Sequence, residues 1–490
     1  MPERATAESR SEKSAEAVVV ASMGRRAERE GVSIAMSMDG VRHPMPASAG
    51  QVAERRGEAS SKPISDETSS PRHETMDAGQ GLLAQVLARE NMQRAWKRVK
   101  ANKGAAGVDG MDIAQTGRYL VTALPNIRDQ LMEGTYRPSP VRRVGIPKPD
   151  GSERELGILT VTDRLIQQAL LQVLQPLIDP TFSEHSHGFR PGRSARDAVL
   201  AAQKYVQDGY RVVVDVELSK FFDRVNHDIL IDRLRKRVND AKVIWLVRAY
   251  LNAGIMAGGV VSQRVEGTPQ GGPLSPLLAN VLLDEVDREL ERRGHRFARY
   301  ADDCNVSVRS QKAGERVMAL LKRRYDKLHL KINESKSAVA SAFGRKFLGF
   351  EFWSARGREV KRAVSKKARE AFKQRIRQLT RRSGGRSIEE VIAKLRPYVL
   401  GWKGYFNLAQ TPKVLRKLDE WMRHRMRAIH LKQWKRGPAI YCELLKLGAT
   451  PKVVLLVAKN RRRWWRNSAL ALNNVLTIAY FDRLGMPRLS

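Results

Sequence analysis

The stretch that most limits how this chain can fold is residues 211–217, RVVVDVE. A β-branched run of this kind reads as a strand. In a strand, side chains alternate between faces, so Asp215 and Glu217 share one face. A second acidic cluster, Tyr300-Ala301-Asp302-Asp303, lies between two further strand-like runs at 297–300 and 304–308, where it reads as a hairpin tip. An isolated Asp-Asp in a loop is usually no more than a solvated turn. Carboxylates at a strand end and a nearby hairpin tip, however, can hold a pair of Mg²⁺ ions about 4 Å apart, the arrangement for in-line phosphoryl displacement. Mg²⁺ suits such a site because it accepts few carboxylates and takes its other ligands from water and phosphate.

The charge balance points the same way. Lys and Arg number 89 against 52 Asp and Glu, a net charge of +37 in 490 residues. That excess predicts a polyanionic partner. Membrane surface is the competing polyanion, but no apolar run approaches the roughly 18–20 residues that span a bilayer. Nucleic acid, bound by phosphate neutralisation, is the expected partner. The two cysteines, Cys304 and Cys442, form no Cys-x-x-Cys pair, which excludes a zinc finger, a Cys-rich nuclease module and a disulfide framework. This usage fits a reducing cytosol. The early apolar stretch at 17–23 is short and follows Glu8, Glu12 and Glu16, so it does not read as a secretory or transit signal.

Residues 1–78 are rich in Ser, Ala, Glu and Arg without sustained apolar periodicity and are expected to be disordered. Order is expected from Leu82, where Leu82, Leu83, Val86, Leu87, Trp96 and Val99 recur at helical spacing. Residues 100–109, KANKGAAGVD, form a Gly-rich basic loop, and helical signals return at 120–131. Two strands, 141–146 and 156–158, flank a Pro/Gly turn, and an amphipathic helix follows over 163–178. Beyond Val364 the chain reads as mostly helical and basic. Between Trp421 and Arg466 there are 13 Lys/Arg and one acidic residue, Glu443.

The order of these features resembles the reverse-transcriptase family across residues 82–355. Tyr300-Ala301-Asp302-Asp303 is similar to that family's active-site box, and 267–276 (GTPQGGPLSP) to its Pro-Gln-Gly loop. Asn333-Glu334-Ser335-Lys336-Ser337 and Phe347-Leu348-Gly349-Phe350 are similar to the two boxes that follow. One such box is weak; four in order are specific. The resemblance implies an α+β right-hand polymerase with fingers, palm and helical thumb, adding dNTPs to a primer 3′-hydroxyl with two Mg²⁺ ions. In the family the metal-binding Asp lies four residues before the first aromatic of a Phe-Phe pair. Here that count reaches Glu217, so Glu217 or Asp215 is the expected ligand beside Asp302 and Asp303. Lys148 and Arg154 resemble the fingertip cations that clamp the triphosphate. Residues 154–159 read RELGIL where the family usually has Arg-Pro-Leu-Gly-Ile-Pro, keeping the cation and losing the prolines. By the same resemblance Phe222 blocks a 2′-hydroxyl, Gln270, Gly271 and Tyr300 line the nucleotide site, and Lys336 protonates the leaving pyrophosphate.

Two flanking regions narrow the family. Residues 82–112 resemble the N-terminal extension of group II intron proteins, and 396–406 (RPYVLGWKGYF) the maturase signature, or domain X. The expected organisation is an N-terminal extension over 79–135, fingers and palm over 136–356, thumb and domain X over 357–446, and a mostly helical basic segment over 447–490. Arg396, Trp402, Lys403, Tyr405, Arg461, Arg462 and Arg463 are the expected RNA contacts, although the aromatic residues also fit a plain thumb core. No His-Asn-His nuclease signature follows, so the chain resembles endonuclease-lacking intron proteins of the bacterial cytoplasm. The implied partners are group II intron RNA, a DNA target and primer, and dNTPs, with no membrane; homodimerisation stays open. Two rivals are an RNA-binding maturase with a decayed polymerase site, suggested by Glu217, and a domesticated or defence-linked reverse transcriptase. Intact 300–303, Gln270 and Lys148 speak against the first, and domain X against the second.

Overall fold

The structure, a computed structural model, describes residues 81–147, 153–257 and 259–490. The expected disordered segment at 1–78, Lys148 and the turn around it lie outside the described residues. The described residues open with three helices, α1 (Leu82–Val86), α2 (Arg89–Ala101) and α3 (Ile113–Glu133). Their apolar stripe, Leu83, Val86, Met92, Ala95 and Val99, is buried against α4 (Val161–Ile178). Asn91 fixes the contact: its Nδ2 donates to the carbonyls of Val86 (2.8 Å) and Ala169 (3.1 Å). The Gly-rich loop between α2 and α3 approaches the start of α4 closely. A Cβ on Gly107 would lie 2.6 Å from the Thr160 backbone nitrogen, so no other residue fits there without a shift.

A fingers sheet of order β2-β1-β4-β5 follows from β1 (Val141–Pro147), β2 (Glu153–Ile158), β4 (Ile255–Ala257) and β5 (Val260–Ser262). The palm sheet has order β6-β7-β3-β8 and is antiparallel throughout. Its strands are β3 (Val212–Glu217), β6 (Arg296–Tyr300), β7 (Asp303–Val308) and β8 (Ala338–Ser341). The helices α5 (Ala195–Gln207), α6 (His227–Arg235), α7 (Ala241–Asn252), α8 (Ser275–Arg292) and α9 (Gln311–Lys327) surround it.

The palm sheet separates two hydrophobic cores, and β3 shows why. Val214 and Val216 join Val306 and Cys304 in the core shared with α1–α4 and α6–α9. Val213 points the other way, into the core shared with the thumb. Strand alternation therefore sends Asp215 and Glu217 to the thumb side of the sheet.

A small sheet of β9 (Lys346–Phe347), β10 (Phe350–Ser354) and β11 (Val360–Val364) leads into the helices α10 (Lys366–Leu379), α11 (Ile388–Phe406) and α12 (Pro412–Gln433). The boundary expected at 356/357 falls inside the β10–β11 hairpin, because Ser354 pairs with Val360 across it. The helical thumb starts at α10. The segment after 446 is not separate from it. Helices α13 (Gly437–Lys446), α14 (Pro451–Lys459), α15 (Trp464–Ala469) and α16 (Ile478–Arg483) follow, and Val454, Leu472, Leu476, Phe481 and Leu489 complete the thumb core. Among the described residues, no helix is long and apolar enough to cross a membrane.

Candidate active site

The acidic residues meet at one end of the palm sheet. Glu217 pairs directly with Asp303 across β3 and β7, and Tyr300 pairs with Asp303 across β6 and β7. The β6–β7 hairpin thus closes on two residues, Ala301 and Asp302, with Ala301 in the left-handed region at φ 57°. Asp303 begins β7 rather than sitting in the tip, so its side chain shares the face of Glu217. Asp215 lies two rungs farther from the tip, opposite Asn305.

Two cations separate the roles of the strand carboxylates. Lys336 Nζ donates to Glu217 Oε1 at 2.7 Å, while Arg345 Nε donates to Asp215 Oδ2 at 2.9 Å. Asn305 Nδ2 holds the other Asp215 oxygen at 3.1 Å. Asp215 is therefore occupied on both oxygens, and Glu217 on one. The segment 333–337 also grips the Glu217 backbone: Asn333 N donates to its carbonyl (2.9 Å), and its N–H donates to Ser337 Oγ (3.0 Å). Lys336 acts here as the partner of Glu217, and a role as proton donor to pyrophosphate requires it to leave that pair.

The electrostatics single out Asp303. Burial pushes its carboxyl well above the usual range, and the charges of Asp302, Glu217 and Asp215 push it further. Burial also raises Glu217, opposed by Lys336, and raises Asp215, opposed by Arg345. As the side chains stand, no group of three or more His, Cys, Asp or Glu among the described residues is gathered tightly enough to hold a metal ion. The donor set still fits a divalent cation. Oxygen ligands suit a hard ion, and an ion between Asp303 and its acidic neighbours would relieve the repulsion that disfavours the ionised form.

The Pro-Gln-Gly loop bridges fingers and palm. Thr268 N donates to the Phe222 carbonyl at 2.7 Å, and Gly157 N to the Gln270 carbonyl at 2.9 Å. Gly271 has φ 122° and lies against the Gly157 carbonyl, so a side chain there would be strained and crowded. Phe222 is half-buried, its ring 5.1 Å from that of Phe221, while Phe221 is buried in the core. Tyr300 is half-buried beside Phe189 (6.5 Å), and burial raises its hydroxyl. The backbone of Arg154 pairs with Ile146 in the β1–β2 hairpin.

The thumb corrects part of the expected RNA contact set. Trp402 is buried between Phe372 and Phe406, with ring centroids 4.6 Å from each, and cannot lie on RNA. Tyr405 packs on Phe350 and donates its hydroxyl to the Leu348 carbonyl (3.0 Å). Both are core because α11 packs its aromatic face against α10 and β10. Arg396 and Lys403 brace the C-terminal segment, donating to the carbonyls of Gly485 (2.7 Å) and Arg488 (3.0 Å). Arg462 and Arg463 are exposed. Sequence reasoning missed Asn305, Arg345 and Arg299. Arg345 follows Gly344 in a loop with no pattern, and Arg299 is a charged residue in a strand, which normally reads as solvent-facing.

Comparison with known proteins agrees with this architecture. The profile of the reverse transcriptase (RNA-dependent DNA polymerase) family matches residues 146–352, which include the palm carboxylates and the Pro-Gln-Gly loop. The chain thus carries a reverse transcriptase domain. The group II intron, maturase-specific domain matches residues 369–445, so a maturase-specific domain follows the reverse transcriptase domain, as the sequence resemblance implied. Protein YkfC of Escherichia coli (strain K12) is 37% identical over 220 residues, covering 44% of this chain and 58% of that protein. The group II intron-encoded protein LtrA of Lactococcus lactis subsp. cremoris is 28% identical over 345 residues, covering 56% of this chain and 57% of that protein. The chain therefore spans under two thirds of the length of either relative. A chain of a solved partial Cas6-RT-Cas1--Cas2 complex is 26% identical, with TM-score 0.34 over 51% of this chain and 43% of that one.

Proposed function

We propose that the protein is an RNA-templated DNA polymerase that also binds group II intron RNA and assists its splicing and mobility. The observation that carries this reading is the register that sets Glu217 opposite Asp303, next to Asp302, at the end of a sheet flanked by the Pro-Gln-Gly loop. Glu217, Asp302 and Asp303 hold the metal ions, which we take to be a Mg²⁺ pair. A divalent pair held by these carboxylates would neutralise charge on the phosphoryl oxygens and so favour in-line displacement. Asp215 positions the strand through Arg345 and Asn305. Gln270, Gly271 and Tyr300 line the nucleotide site, and Lys148 and Arg154 contact the triphosphate. The substrates are dNTPs, a DNA primer or target, and intron RNA as template.

Phe222 is half-exposed and tied by its carbonyl to the Pro-Gln-Gly loop, which suits a wall beneath the sugar better than a core residue. Phe222→Val or Phe222→Ala is expected to raise kcat/KM for rNTPs relative to dNTPs by about tenfold or more, the scale of a relieved steric contact. Steady-state extension with the two sugars measures this, and an unchanged ratio would make Phe222 ordinary core.

RNA binding rests on the exposed cations of the thumb. Extension of a DNA primer on an RNA template, together with retention of intron RNA on the same preparation, tests the two activities at once. Replacing Arg461, Arg462 and Arg463 with Gln should flatten the dependence of log affinity on log salt. Each lost phosphate contact removes roughly 0.7–0.9 from that slope. A slope and affinity that both stay constant would make the run a solvated face.

A further inference from the structure

Arg299 is the largest fully buried side chain of the palm, 1% exposed, and its ionic partner, Asp287 on α8, is 0% exposed. A buried guanidinium is costly unless every donor is used. Here all five N–H groups are used. Nε donates to both Asp287 oxygens (2.9 and 3.0 Å), and Nη2 to Asp287 Oδ2 (2.6 Å) and Ser186 Oγ (2.7 Å). Nη1 donates to Asn280 Oδ1 (3.0 Å) and to the Ala301 carbonyl (2.9 Å). The last bond matters most. Ala301 is the left-handed residue of the two-residue turn that presents Asp302 and Asp303, and a residue with a Cβ adopts that conformation only when its surroundings impose it.

The surroundings do impose it from two sides. Residues 185–188 run beside β6, with His187 N donating to the Arg299 carbonyl and Arg299 N to the His185 carbonyl, each at 2.9 Å. A Cβ on Gly188 would lie 2.3 Å from Ala301 N, so this segment presses directly on the turn. Asn280 Nδ2 donates to the Gly188 carbonyl at 2.9 Å, holding the segment to α8. Asn280, Asp284 and Asp287 recur at i, i+4 and i+7, so one face of α8 anchors both sides of the turn.

We propose that Arg299 is a positioning residue for the polymerase reaction: through its bond to the Ala301 carbonyl it fixes the strained turn and hence the placement of Asp302 and Asp303. The inference rests on the polymerase reading above. The test is Arg299→Lys, which keeps the charge beside Asp287 but lacks the fork that reaches Ala301. Arg237→Lys is the matched control. Arg237 pairs with Asp284 on the same helix face at 2.6 Å, and its hydrogen bonds run to Asp284 and the Val281 carbonyl. Mn²⁺ binding to the protein–primer–template complex, followed by electron paramagnetic resonance, is measured beside kcat, KM and Tm.

For Arg299→Lys, kcat is expected to fall about tenfold to a hundredfold, the scale of an ångström-sized misplacement. Mn²⁺ half-saturation should rise severalfold, with primer–template affinity unchanged. Arg237→Lys should lower Tm alone. If Arg299→Lys does not accumulate, Asn280→Ala takes its place, because it loosens Nη1 and the 185–188 segment while leaving the Asp287 pair intact. A wild type that binds Mn²⁺ and extends primers, with Arg299→Lys indistinguishable from Arg237→Lys in both readouts, overturns the positioning role alone. A wild type that does neither overturns the polymerase reading and the positioning role together.

Discussion

Asp303→Ala is expected to reduce primer extension by about 10² to 10³-fold or more, with Asp302→Ala close behind, while intron RNA affinity stays within about twofold. The asymmetry follows from location. Both carboxylates stand at the end of the palm sheet, whereas the exposed cations such as Arg462 and Arg463 belong to the thumb. The stability change runs opposite to the activity change. The Asp303 carboxyl is pushed well above its usual range by burial and by Asp302, Glu217 and Asp215. A folded-state pKa raised above the unfolded value means that ionised Asp303 costs stability at every pH above the unfolded value, neutral pH included. Removing it should therefore leave Tm unchanged or raise it at pH 7, and any gain should shrink as pH falls towards the usual carboxylate range and vanish below it. Activity lost with Tm retained would mark a site that gives up stability for function. Extension retained in both variants would sink the assignment.

The site was legible in sequence where local pattern determines geometry. Alternation in 211–217 put Asp215 and Glu217 on one face, and β3 carries them there because Val214 and Val216 fill the opposite core. The hairpin around Ala301 and Asp302 was legible because strand-like runs at 297–300 and 304–308, carrying Phe297, Tyr300, Val306 and Val308, flank an acidic tip. What was not legible depends on partners distant in sequence. Whether Trp402 faces RNA or core turns on Phe372, 30 positions earlier, and helical pattern alone cannot tell an aromatic packing face from a stacking one. The pairing of β10 with β11 across the expected boundary at 356/357 was not legible in the local pattern. The Arg299 network joins a loop, a helix and a strand, and a charged residue on a strand carries no sign of burial in its own neighbourhood.

The choice between Glu217 and Asp215 gives the second large effect. Counting back from Phe221 reaches Glu217, and the structure adds two physical reasons to favour it. Glu217 faces Asp303 across the ladder, whereas Asp215 faces Asn305 two rungs away. Asp215 also has both oxygens taken, by Arg345 and Asn305, while Glu217 gives one oxygen to Lys336. A carboxylate held on both oxygens, by Arg345 and by the Asn305 amide, is expected to act as a strut, and Glu217 is expected to act as the ligand. Glu217→Gln keeps size and removes charge, so extension should fall by about 10² or more. Asp215→Asn should cost no more than about tenfold, because the amide oxygen can still accept from Arg345. Glu217→Asp should keep or raise activity, since it restores the family's usual residue, although the shorter arm gives up the Lys336 pair and should lower Tm slightly. Primer-extension rates on the wild type and these three variants decide the matter. An inverted ranking makes Asp215 the ligand. A wild type that extends no primer with Mg²⁺ or Mn²⁺, yet promotes splicing of intron RNA, makes the palm a decayed site on an RNA-binding protein, with Lys336 as the cation that replaced the metal at Glu217.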